Sequence, residues 1–192
     1  VARHSPLLPD LAEEARLFRT MLGAFFSASI PEANYRLIAE GARSLDKEDQ
    51  GLGACWLRGM TLSHRDWLSL TRARSRIAQQ WRELFDVFDI VLCPVMPTTA
   101  FVHDHTPDQR DRHCEVDGVD VSHFDRAVWL GTSVLSGLPA TAAPIALSAG
   151  GLPIGVQIIG GYLEDRTTIG FAELLEQVSV PRPVPVVKPR PR

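Results

Sequence analysis

The chain is poor in lysine and cysteine and contains no long apolar run. Lys47 and Lys188 are its only lysines, so almost all of its positive charge is carried by arginine. Its 3 cysteines, Cys55, Cys93 and Cys114, are an odd number at no regular spacing. That argues against a disulfide framework and predicts a reducing, cytoplasmic setting. No apolar stretch approaches the ~20 residues needed to span a bilayer, so no membrane partner is expected. The opening Val-Ala-Arg-His-Ser-Pro lacks both the apolar stretch of a signal peptide and an initiating Met. A fragment, a processed product or a natural truncation is therefore expected. There is no Gly-x-Ser-x-Gly elbow, which disfavours a serine-hydrolase triad built from this chain alone. A net charge of −3 gives no general pull toward nucleic acid.

What is present suffices for one core. The 192 residues are 45% apolar and 22% charged, ordinary values for a globular protein. Residues 9–29 show apolar positions at helical spacing (Leu11, Ala15, Phe18, Leu22, Phe25), with Asp10, Glu13 and Glu14 at the positive end of the helix dipole. Pro31 opens a second helix, predicted to turn Tyr35, Leu37 and Ile38 toward the core. Gly51, Gly53 and Gly59 mark a loop. A long helix follows over 64–87, with Ser63 and Asp66 as a capping pair and Trp67, Leu70, Ile77, Trp81 and Leu84 as its apolar stripe. Residues 89–93 form a short, continuous apolar run ended by Pro94, which reads as a buried strand.

Residues 97–115 are polar and rich in His, Asp and Pro, hence a surface loop, and 115–121 form a small hairpin turning at Asp117-Gly118. A helix over 123–136 ends at Gly137 in the C′ position, with Pro139 just beyond. Strands at 141–147 and 154–159 and a helix at 164–178 complete the core. Strands this apolar, with helices around them, imply a sheet covered on both faces. Three strands are few for such a sheet, and their edges call for further strands, either the 89–93 or the 154–159 strand being covered by another copy. A homo-oligomer is one expected source.

From Gly59 onward the order of motifs becomes specific. Thr61-Leu62-Ser63, Trp67, Leu70 and Arg74 lie on the long helix and its approach, and Phe88-Asp89-Ile90-Val91-Leu92-Cys93-Pro94 forms strand and turn. Leu135-Ser136-Gly137-Leu138-Pro139-Ala140, Pro144 and Gly151-Leu152-Pro153-Ile154-Gly155-Val156-Gln157 follow, then Asp165. Together they resemble the C-terminal part of amidase-signature hydrolases. The resemblance implies an α/β protein, a partial amidase-signature fold with a mixed β-sheet flanked by helices, incomplete without an N-terminal part. Residues 59–178 would be the C-terminal part of the amidase-signature domain. Residues 1–58 would be a helical segment matching the middle of the family loosely, and 179–192 a Pro/Arg-rich disordered tail. Val134 departs from the pattern: the family often has Asn there, whose amide hydrogen-bonds where Val cannot.

The family hydrolyses or transfers carboxamides. The resemblance implies a serine nucleophile, a bridging serine in a cis peptide, a lysine base and a backbone oxyanion hole, with no cofactor. No residue of this chain matches those elements. Lys47 lies in a charged segment and Lys188 in the tail, so no catalytic residue is expected here and the isolated chain should be inactive. The implied partner is a small-molecule amide bound by the complete enzyme. The family places the turn after the 89–93 strand and the helix before Gly137 beside the acyl pocket, which makes Met96, Trp129 and Thr132 the substrate-pocket candidates. Trp129 also fits a plain core-packing role.

Two other features compete for a role. His103, His105 and His113, with Cys114 and His123 nearby, are weak metal candidates whose spacing fits no zinc module, so a solvated loop is the simpler expectation. The tail from Pro181 could form a polyproline helix that docks on a partner. The alternative to an enzyme fragment is a noncatalytic truncated homologue that serves as a binding or scaffold protein.

Overall fold

A computed structural model describes residues 1–178; the tail reading for 179–192 lies outside the described residues. Four helices come first: α1 (Leu11–Ser27), α2 (Glu32–Ser44), α3 (Leu52–Met60) and α4 (His64–Phe85). Strand β1 (Ile90–Pro94) follows, then a hairpin of β2 (His113–Val116) and β3 (Val119–Ser122). Helix α5 (Gly131–Ser136), β4 (Ala140–Leu147), β5 (Pro153–Gly160) and α6 (Asp165–Val178) close the order.

The sheet runs β1-β5-β4, and every described pairing is antiparallel. Alternation along β5 divides its side chains between two cores. Val156 and Ile158 face Ala143, Phe171 and Leu175, so α6 covers that side. Ile159 joins Phe18, Met21, Ile77, Trp81, Leu84, Cys93 and Leu135 in the larger core under α1, α4 and α5. The sheet is thus covered on both faces, as its apolar strands require. The two threonines Thr141 and Thr168 meet through their hydroxyls at 2.9 Å and fasten α6 to β4.

Strand β5 is central and has a neighbour on each side, so the 154–159 strand has no free edge for another copy. The free edges belong to β1 and β4. Pro144 interrupts the β4 edge, where the register slips between Pro144 and Ala146. A proline offers no N–H for a further strand, so β1 is the better template for one.

Four local expectations change. Gly51, Gly53 and Gly59 do not make a loop: Gly53 and Gly59 lie within α3, capped by Gly51. A Cβ on Gly59 would collide with the Thr20 carbonyl oxygen, and one on Gly23 with that of Trp56. Glycine is used here for close packing of α1 on α3, a signal that local reading takes for a break. Helix α2 buries none of its residues: Leu37 is 69% exposed and Tyr35 and Ile38 are only half-buried, because α2 packs chiefly on α3. In α1, Phe25 is exposed while Leu17 and Met21 are buried. Finally, 123–136 is a 3₁₀ helix (Asp125–Leu130) running into the short α5, not one α-helix. Gly131 explains the tight passage, since a Cβ there would overlap the Phe18 ring.

The remaining local signals appear as expected. Ser63 caps α4 by accepting from the Asp66 N–H at 3.1 Å, while its hydroxyl donates to the Asp66 carboxylate at 2.6 Å. Gly137 sits at φ 69° as the left-handed residue that ends α5. Arg74 reaches across from α4 and donates through Nε to the Leu135 carbonyl at 2.6 Å, tying down the same helix end. That gives Arg74 a structural role at the Gly137 turn.

Candidate functional site

Strand β1 stops at Pro94, while the β4–β5 hairpin projects beyond it. The chain leaving β1 therefore runs beside the projecting hairpin and opens a groove of about 960 Å³. Met96, Pro97, Ile145, Ile154 and Val156 give it mostly apolar walls. The turn of the β2–β3 hairpin brings Asp117 to the same groove. The size and apolar character are those of small-molecule sites generally.

Met96 lines this groove, 38% exposed. Trp129 and Thr132 do not. Trp129 is partly buried against the larger core and Thr132 is fully buried. What joins the two regions is Gln157. Its amide donates to Cys93 Sγ at 3.2 Å, and Cys93 lines the groove. The same nitrogen lies 3.5 Å from the Trp129 carbonyl oxygen. The 3₁₀ segment carrying Trp129 is thereby held to the central strand, one residue layer from the groove. Val134, at the position where the family often has Asn, is exposed.

The histidine-rich segment does not converge. His103 and His105 touch each other, ring centroids 4.2 Å apart. His113 Nδ1 instead pairs with Asp120 across the hairpin at 2.8 Å. His123 contacts Arg126, and burial followed by the Arg126, Arg112 and Arg19 charges holds its pKa below the ordinary value. Among the described residues, no three His, Cys, Asp or Glu side chains gather to hold a metal ion. Cys55, Cys93 and Cys114 are all free thiols, and burial pushes Cys55 and Cys93 up from the ordinary thiol pKa.

Two buried ionisable groups escaped sequence reasoning. Glu14, assigned above to the helix dipole, is 1% exposed in the larger core. Its Oε1 accepts from Trp81 Nε1 at 3.1 Å, and its Oε2 has no partner. Desolvation drives its pKa from 4.5 to about 7, against smaller opposing effects of Trp81 and Ser136. The Ser136 hydroxyl is near enough to act on the carboxyl, yet its geometry is not that of a made hydrogen bond, and Oγ is itself unpartnered. The signal was available: Glu14 stands one turn before Leu17 and Phe18 and two before Met21, on the buried face. Arg19 is also buried, its guanidinium carbon 5.0 Å from the centroids of both Trp56 and Phe124. Stacking between two aromatic faces offsets part of the cost of burying that cation. Only the tertiary fold brings Trp56 and Phe124 to it.

The fold is a helix-covered antiparallel α/β unit with an apolar groove at the end of the sheet. Residues 23–169 match the family model described as Amidase, and the chain belongs to that family. It is 29% identical over 113 residues to a glutamyl-tRNA(Gln) amidotransferase subunit of Rhodospirillum rubrum, covering 59% of this chain and 21% of that protein. The corresponding subunit from Rubrobacter xylanophilus is 32% identical over 108 residues, 56% of this chain and 20% of that one. In fold the chain is similar to a bacterial aryl acylamidase of the amidase signature family, with TM-score 0.61 and 18% identity, over 90% of this chain and 35% of the other. The chain thus spans about a fifth of the curated relatives it matches and about a third of the solved structure. No helix among the described residues is long and apolar enough to cross a membrane.

Proposed function

We propose that this chain is the C-terminal portion of an amidase-signature enzyme acting on the carbon–nitrogen bond of carboxamides. In this reading it supplies one wall of the acyl site, and the serine, bridging serine and lysine come from a portion outside it. The observation that carries the reading is the match to the family over residues 23–169, combined with the small share of each relative that is spanned. The described residues offer no substitute for the missing machinery, since Lys47 is exposed in a charged segment and no buried lysine stands near the groove. The open β1 edge fits the same account: it is where a further strand of a larger sheet would pair.

Met96 is the part of the proposed wall that faces the groove directly. Trp129 is tied to that wall through Gln157 and Cys93, while Thr132 is buried and does not line the groove. The substrate is a small-molecule amide, and transfer of the acyl group to an amine acceptor in place of water lies within the same chemistry. The setting we propose is cytoplasmic.

The test has two arms. Purified chain is incubated with an anilide and an aliphatic amide, and the coding sequence upstream of Val1 is read in frame. The expected result is no turnover above buffer for the chain alone, with a lysine followed by a Gly/Ser-rich segment encoded upstream. The longer product should then hydrolyse an amide. Turnover by the isolated chain would overturn the assignment of the machinery. A start codon at or just before Val1, with no amide hydrolysis, would favour the noncatalytic homologue.

A further inference from the structure

Among the described residues, Asp117 is the one charged side chain in the walls of the 960 Å³ groove. It makes no hydrogen bond or ion pair among the described residues. It stands at φ 51° and Gly118 at φ 79°, the two left-handed positions of a tight hairpin turn. The strands β2 and β3 pair in register from His113–Ser122 to Val116–Val119, so the turn is fixed to a regular ribbon. A carboxylate is thereby presented at one side of an apolar surface, with no cation among the described groove residues to answer it.

We infer that this groove takes a ligand with an apolar body and a cationic end, an ammonium or guanidinium that pairs with Asp117. The inference rests on the reading of the groove as part of the amide substrate site, and it narrows that substrate to amides bearing a positive charge away from an apolar acyl portion. The apolar walls hold the body through Met96, Ile145 and Ile154. Asp117 selects by charge: it favours a cation, is indifferent to a neutral hydroxyl and repels a carboxylate. Because Asp117 is exposed, the discrimination is modest, and an exposed pair supports about a threefold preference that salt reduces.

The full in-frame product that contains Val1–Arg192 is titrated with n-hexylammonium, n-hexanol and n-hexanoate, and binding is followed by methyl NMR of Met96, Ile145 and Ile154. The native chain should bind n-hexylammonium about threefold tighter than n-hexanol, with n-hexanoate weakest, at low salt. Asp117→Asn keeps the left-handed turn, because Asn tolerates that conformation, and should bring n-hexylammonium to the level of n-hexanol. Glu115→Gln, on the same hairpin but outside the groove, should leave the preference intact. Equal binding of n-hexylammonium and n-hexanol by the native chain overturns the role of Asp117 while leaving the groove as a site. No methyl perturbation by any of the three compounds overturns the groove reading itself, and this inference with it.

Discussion

Glu14→Gln isolates what a buried, half-satisfied carboxyl does to stability. In the folded chain Glu14 is held at a pKa of about 7 by desolvation, against 4.5 in a solvated chain. Below about 4.5 both states are protonated and the group has no effect on the balance. Between about 4.5 and about 7 the unfolded chain releases a proton that the folded chain keeps, so stability falls as pH rises. Above about 7 both states are ionised and the loss is complete. At about 1.4 kcal/mol for each pH unit between the two values, the full loss is about 3 kcal/mol. The side-chain amide of the variant would still accept from Trp81 Nε1 and can donate to the unpartnered Ser136 hydroxyl, so the uncharged neighbourhood is kept. The variant should therefore match the native chain near pH about 4.5 and exceed it by about 3 kcal/mol near pH about 8. Chemical denaturation followed by circular dichroism at pH values spanning that window measures the difference. Titrations elsewhere, including those of the histidines, cancel between the two proteins. Parallel stability–pH curves for native and variant chains would refute the reasoning, because they would mean that Glu14 ionises in the folded state as it does in the unfolded one.

Gly59→Ala should destabilise the chain by about 2 kcal/mol or more, since its methyl group would drive α3 away from the Thr20 carbonyl on α1; thermal melting checks it. Leu163→Gly should do the opposite. Leu163 is 75% exposed at φ 66°, so little packing is lost and left-handed strain of about 1 kcal/mol is relieved; a rise in denaturation midpoint is the expected readout.

Much of the architecture was legible in local chemistry. Ser63 and Asp66 started α4, Gly137 ended α5, Asp117-Gly118 made the hairpin turn, and the apolar runs at β1, β4 and β5 gave strands with both faces covered. The family resemblance rested on those same punctuated segments. These features are legible because each depends on interactions within a few residues: a cap, a left-handed position, a period of two. The candidate site was less legible. Met96 lines the groove, whereas Trp129 and Thr132, expected beside the same pocket, do not. The chain at Trp129 is 3₁₀, and the two side chains turn into the core.

The sequence by itself determined where most elements begin and end, and the family they belong to. Tertiary structure decided which glycines are packing contacts, because a helix-to-helix approach at Gly59 leaves no local trace distinct from a turn. It decided that Glu14 is a buried acid, because desolvation is a property of what surrounds a residue in space. It decided that β5 is central and β1 open, because strand order follows from how the two cores close over the sheet. It also carried Asp117, about twenty residues beyond Met96 along the chain, to the same groove, and on that juxtaposition the proposed ligand class depends.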